Sequence, residues 1–435
     1  MAYSTTEAKM NFPYNNADAG LIDNDSGMRL FRGMSSPWGA IKGFKETYDF
    51  MMRHAALHGV ASMNAFKIVE PDYVTRQNAM TLAWQSGSDV MWAENDPFGL
   101  HKNFIETYDI PPFLKKGVYT SAIFADYGDS IMTMPGHIWY ATNDFMEKEI
   151  HACPLDIIGP DACDLSNAGG QHICRAVAHC GTNHYLAERR GNGDPYCLAH
   201  IESVKKYGAH KNPDDYDWEQ YGPPAAETRA PEKGQQHKKN CDYFDTGEYV
   251  SPLGAVLTAG KMYQDATADC LGYSGHAIEG MRVVLGTDEV KWAQANTILD
   301  VMFDTAGKHL FGNATAIKEV RDWMNVPSDI NDGRVLGSFM SMILQSRNVA
   351  HEFTEFSAER TVIECDKLAL EHFGRYPEFD RTYVAYFNGM AKTLVSTEWV
   401  VTLGECEDSS KLIFEVKKGF YGFKREKAPK NTEKE

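Results

Sequence analysis

The sequence predicts an α+β protein made of two related halves, with helices packed on small antiparallel sheets. Three observations carry this: long stretches with apolar residues at helical spacing, short alternating runs suited to strands, and a segment that recurs. In AIKGFKETYDFMMRHAALHGV the residues Ile41, Phe44, Tyr48, Met51 and Met52 return every three or four positions, the stripe of an amphipathic helix. Gly59 is its expected stop. After Pro71, RQNAMTLAWQSGSDVMW reads as another helix. Helical texture returns from Leu257 to about Ala350 and continues through HEFTEFSAERTVIECDKLALEHFG. Strands are expected in the run ending at Glu188, in YCLAHIESV after the GNGD turn, and in SKLIFEVKKGFYGF near the end.

The repeat comes from sliding the chain against itself. The stretch from Met28 lies over the stretch from Met281 without gaps. Met28/Met281, Arg29/Arg282, Gly33/Gly286, Ala40/Ala293, Phe50/Phe303, Leu57/Leu310, Gly59/Gly312 and Ala61/Ala314 coincide. Composition alone would give about two identities in such a window. The pattern resumes at a shorter offset, with Cys153 over Cys365 and Val204-Lys205-Lys206 over Val416-Lys417-Lys418. The change of offset implies an insertion in the first copy, around Asp96–Pro135. Two unrelated helical domains sharing glycine punctuation would be the plainer account.

The expected organisation is an arm over 1–27, a first α+β domain over 28–206, a charged, proline-rich linker over 207–252, a degenerate second copy over 253–425, and a tail over 426–435. The linker carries Pro213, Pro223, Pro224, Pro231 and Pro252 among dense charges.

With 435 residues, 43% hydrophobic and 12% aromatic, the chain is too apolar for disorder. Its net charge of −17 argues against nucleic acid, whose affinity comes from Lys and Arg on phosphates, and against anionic membranes. The first residues lack a basic and apolar leader, and no apolar run reaches membrane length. Nine cysteines, an odd number, fit free thiols in a cytoplasm. A homo-oligomer is an open expectation.

Five of those cysteines and five histidines crowd IHACPLDIIGPDACDLSNAGGQHICRAVAHCGTNHYLAERRGNGDPYCLAHIESVKK. In GNGD, glycine permits positive φ and the aspartate can bond nearby backbone. Glu188 and Cys197 then stand on two arms of a hairpin. A cysteine-bearing approach, an acidic strand end, a glycine-rich turn and a strand opening with Cys resembles the 4-vinyl reductase domain. It is also similar to the L-2-amino-thiazoline-4-carboxylic acid hydrolase family. The resemblance covers Cys153–Lys206, with an echo at Cys365–Lys418. It implies a compact α+β unit that binds small, often aromatic or tetrapyrrole-like molecules, in some members with zinc held by the acid and cysteines of the hairpin. The thiazoline family opens a sulfur-containing ring by hydrolysis. Glu188 matches the acidic position and Cys197 the strand cysteine. Gly191 stands where some zinc-bearing members have a second cysteine, so Cys153 or Cys163 would have to complete a metal site.

The leading expectation is a hydrolase of a small cyclic or aromatic compound. Cys197 or an activated water attacks, His184 and Glu188 manage protons, and Arg189 or Arg190 orients an acidic substituent. If the strand alternates back from Glu188, His184 and Glu188 share a face. His137 and Trp139 in MPGHIWY suggest an aromatic pocket wall. A zinc ion, if bound, would use Cys163, Glu188 and Cys197, but CxxC, HExxH and His-x-His spacings are missing. The rival readings are a non-catalytic binding module with structural zinc and a metal-dependent lyase or reductase. His54 and His58, at i and i+4, could chelate a metal, and His351, Glu352, Glu355 and Glu359 suggest a solvated, carboxylate-rich helix face.

Overall fold

A computed structural model describes residues 35–41, 44–91, 118, 121, 136–141, 145–150, 153–178, 182–203, 248–250, 256–346, 349–367 and 377–419. The expected arm and tail, and nearly all of the expected insertion and linker, lie outside the described residues. The chain is α+β: among the described residues there are eight helices and two four-stranded antiparallel sheets, besides two short ribbons. None of these helices is long and apolar enough to cross a membrane.

The ribbon β1 (Ser35–Ser36) and β2 (Gly39–Ala40) leads into α1 (Phe44–Val69) and α2 (Tyr73–Met91). The Met51 and Met52 stripe of α1 is buried as its spacing predicts. Gly59 does not stop the helix. A Cβ there would stand 2.8 Å from Ile158 Cδ1, so glycine serves close packing rather than termination. The first sheet follows, from β3 (Gly136–Ala141), β4 (Phe145–Ile150), β5 (Thr182–Glu188) and β6 (Cys197–Ser203), with α3 (Pro160–Ala178) joining its two hairpins.

A second ribbon, β7 (Glu248–Val250) and β8 (Val256–Thr258), precedes α4 (Ala259–Leu285), α5 (Glu289–Leu310), α6 (Ala314–Trp323) and α7 (Gly333–Ser346). The second sheet contains β9 (His351–Phe356), β10 (Arg360–Asp366), β11 (Trp399–Leu403) and β12 (Lys411–Lys418), with α8 (Pro377–Leu394) between hairpins. The sequence reading of HEFTEF and RTVIECD as helix is therefore corrected to a hairpin. Its β-branched, alternating residues suit a pleated surface, and His351 lies on a strand.

The strand orders are β3-β4-β6-β5 and β9-β10-β12-β11, the same hairpin–helix–hairpin arrangement twice. Element order sets α1 and α2 beside α4 and α5, and both second helices open on an aspartate cap. Asp72 accepts from Thr75 N and Asp288 from Val290 N and Lys291 N. The gapless overlay from Met28 instead lays the middle of α1 over the end of α5. Helical spacing looks alike in any helix, so periodicity alone does not choose the partner.

The two halves share one apolar core that runs from Met51, Phe66 and Met80 to Phe303, Phe339 and Tyr386. At its centre His58 Nδ1 lies 2.8 Å from Ser274 Oγ, and Tyr386 donates to the carbonyl of His54 at 3.3 Å. The rings of Phe303, Tyr383 and Tyr386 surround His58 with centroids 4.5–5.4 Å away. The His54–His58 pair is thus part of the join between halves.

Candidate functional site

The first sheet carries His184, Glu188 and Cys197, and its turn carries Arg189 and Arg190. Its turn follows expectation: Gly193 has φ +95°, and the Asp194 carboxylate accepts from Arg189 N at 2.8 Å.

Cys197, His184 and Glu188 do not meet. His184 pairs with Ile201 and Cys197 with Ile150, so both face α3 but stand four residues apart along β6. At about 3.3 Å per residue that is roughly 13 Å. The assumption that His184 and Glu188 share a face fails at a bulge. Leu186 pairs with Ala199, yet Glu188 pairs with Leu198, which turns Glu188 to the opposite face. There it accepts a hydrogen bond from Tyr196.

His184 packs on α3, where a Cβ at Gly170 would stand 2.8 Å from its ring, and its Nδ1 donates to the Asn167 carbonyl at 3.3 Å. Burial pushes its pKa down to about 4. Burial does the same to His351, also to about 4. The His351 Nδ1–H donates to Val349 O, and Nε2 takes the Ser341 hydroxyl, both at 2.8 Å. These are buried imidazoles held neutral, and they bind a proton more readily in the unfolded chain near 6.5. The stability they supply is complete above that pH and is lost as pH falls towards 4. Urea unfolding is expected to lose on the order of 2 kcal/mol per histidine between pH 7 and pH 4.5. His351→Gln should flatten the curve, and an unchanged slope would count against this assignment.

The predicted clamp is also committed elsewhere. Arg189 is ion-paired to Asp164, and Arg190 reaches Asp156 at 2.9 Å and the Pro195 carbonyl at 2.9 Å. Both arginines tie the turn to α3 and the segment before it, which leaves neither free to orient a substrate.

Three thiols gather at the root of this hairpin. Cys153 accepts from Leu155 N at 3.4 Å, Cys197 from Arg190 N at 3.3 Å, and Cys163 from Gly191 N. A Cβ at Gly191 would stand 2.5 Å from Cys163 Sγ, so the sulfur fills the space of a side chain there. Burial raises the Cys153 thiol well away from the thiolate form a nucleophile needs, and it also raises Cys163. The set Cys163, Glu188 and Cys197 is not assembled, because Glu188 faces the other way. Among the described residues no group of three or more His, Cys, Asp or Glu side chains is arranged to hold a metal ion.

Sequence reasoning missed the face of the sheet turned away from α3. Register places Glu149, Leu198 and Glu188 in one row, Glu147, His200 and Tyr185 in the next, and Phe145, Glu202 and Asn183 in the third. His137 is opposite Glu149, and Trp139 is the extra residue of a bulge; their side chains lie outside the described residues. His200 Nε2 lies 2.8 Å from Glu147 Oε2. A carboxylate only accepts, so Nε2 carries a proton, and the neutral ring has its lone pair on Nδ1. That Nδ1 has no hydrogen-bond partner among the described residues. The Tyr185 ring meets the imidazole edge to face at 4.9 Å, and its hydroxyl donates to Glu202 Oε1 at 3.1 Å. The side chains of His200 and Glu147 are 14% and 17% exposed, while Nδ1 itself is buried. Alternation in LAHIES and FMEKEI was the available signal, but nothing in it pairs residues 147 and 200.

No family model, curated protein or solved structure matches this chain.

Proposed function

We propose that this chain is a cytoplasmic hydrolase of a small cyclic compound, with its centre on the face of β3–β6 that turns away from α3. One observation carries the reading: Glu147 holds His200 on the same face as Glu202 and Tyr185, and His200 Nδ1 has no hydrogen-bond partner among the described residues. A carboxylate that fixes the tautomer and steadies the imidazolium is the arrangement general-base catalysis needs. A water gives its proton to Nδ1 as its oxygen bonds to the electrophilic ring carbon. The ring bond to the leaving heteroatom then breaks, and that atom takes the proton from the imidazolium. Glu147 stays ionised throughout. This reading moves the base from His184 to His200 and the attacking group from Cys197 to water, and it keeps the ring-opening chemistry implied by the resemblance.

The test is consumption of 2-aminothiazoline-4-carboxylate and simpler ring amidines by the purified chain, followed by NMR of the ring protons. His200→Gln is expected to lower turnover by about 100-fold or more, and Glu147→Gln by about 10-fold. Melting temperatures should stay near that of the parent, and Cys197→Ser should keep most activity. Full turnover by His200→Gln would sink the proposal.

A non-catalytic small-molecule-binding module is the second reading, favoured by the buried, backbone-bonded thiols that brace the hairpin. It predicts saturable binding with no loss of any ring compound.

A further inference from the structure

All four carboxylates of β3–β6 lie on the face away from α3: Glu147, Glu149, Glu188 and Glu202. These strands contain no arginine, and their one lysine, Lys148, is on the opposite face beside Ala199. The second sheet handles the same situation differently. On its corresponding face Arg360 pairs with Glu355 at 3.1 Å and with Glu415 at 2.5 Å. Lys417 also reaches Glu415 at 2.5 Å, and Lys411 reaches Glu364 at 3.9 Å. The strands of the second half thus carry their own cations on this face, and those of the first half do not.

Within the first sheet, Glu188 and Glu202 make no ion pair among the described residues; their hydrogen bonds come from the neutral hydroxyls of Tyr196 and Tyr185. Glu202 is 6% exposed, and its Oε2 is buried with no hydrogen-bond partner among the described residues. A buried carboxylate oxygen without a donor is costly, which makes it a place for a ligand's N–H. The neighbouring rings add to this: Phe145 stands 5.7 Å and Tyr185 4.9 Å from the His200 ring, and aromatic faces favour cations.

We propose that the ligand of this face is a small organic cation, an amidinium or ammonium, whose N–H groups bond Glu202 Oε2 while its carbon lies against His200. An amidinium is planar and offers paired N–H donors to a carboxylate, as a guanidinium does. This inference rests on the reading of the face as the site, and not on hydrolysis taking place there.

Benzamidine, benzamide and benzoate share one skeleton with cationic, neutral and anionic heads, and their binding to the full chain can be measured by calorimetry at pH 7.5. Benzamidine is expected to bind at least 10-fold more tightly than either of the others, and more weakly as salt is raised. Glu202→Gln, close in shape, should weaken benzamidine at least 10-fold. If that variant does not fold, Glu188→Gln at the far end of the face should weaken it by a smaller factor. Benzamidine no tighter than benzamide or benzoate would overturn the inference, as would undiminished binding by a folded Glu202→Gln. Selective benzamidine binding without ring hydrolysis keeps this inference and removes the hydrolase reading. Hydrolysis with no preference for cations does the reverse.

Discussion

Replacing Gly307 with alanine is expected to cost at least about 3 kcal/mol of stability, the upper range for overpacking a core. Gly307 lies on α5 where it crosses α8. A Cβ there would overlap the carbonyl oxygen of Tyr386 and stand 3.0 Å from the amide nitrogen of Met390. Gly389 on α8 answers it, since a Cβ there would overlap the carbonyl of Asp304 and stand 3.0 Å from Lys308 N. Both obstacles are backbone, so no rotamer change relieves them and the helices must part. Parting them would loosen Phe303, Tyr383 and Tyr386, the rings that surround His58 at the join of the two halves. An exposed helical glycine would gain about 1 kcal/mol from the same substitution. A destabilised Gly307→Ala in urea unfolding therefore reports the crossing, whereas a neutral or stabilised variant would show that it can open.

Asp161→Ala is expected to cost about 3–5 kcal/mol, the usual penalty for leaving a buried charge without its partner. Asp161 is in the first turn of α3 and is 2% exposed, and Arg76 on α2 is 6% exposed. Arg76 Nε donates to Asp161 Oδ1 at 3.0 Å, and Lys67 at the end of α1 reaches the same carboxylate at 3.4 Å. Arg76 also donates to the carbonyls of Glu70 and Pro71, at 2.9 Å each, which closes the turn between α1 and α2. One carboxylate thus ties three helices beneath the first sheet. Removing Arg76 together with Asp161 and filling the space with apolar residues should recover much of the loss, because the pair's own net contribution is small. Unfolding free energies of the single and double variants check this, and a single variant within about 1 kcal/mol of the parent would contradict it.

Much of the fold was legible in the sequence. The Met51–Met52 stripe needs only the helical period, and the turn at Gly193–Asp194 needs only local chemistry. Local signals misled at His351–Asp366, where acidic and aromatic residues suggested a helix face but alternation with β-branched residues belongs to a hairpin. They also misled at Gly59, whose meaning depends on Ile158, distant in the chain. The candidate site was legible only in its segment. Even-numbered spacing made His184 and Glu188 neighbours, and a single bulged residue separated them. His200 was visible as one histidine among several, while its partner Glu147 comes from a different hairpin.

The sequence alone determined the α+β class, the helical stripes and the concentration of thiols and imidazoles before Ser203. Each depends on residues within one or two turns of one another, where spacing and side-chain type act directly. Only the tertiary structure decided which of those groups face each other. A strand's two faces differ by one residue of register, and register is set by partners dozens of positions away. That is why the thiols and His184 turned inward against α3, while Glu147, His200 and Glu202 came together on the other side.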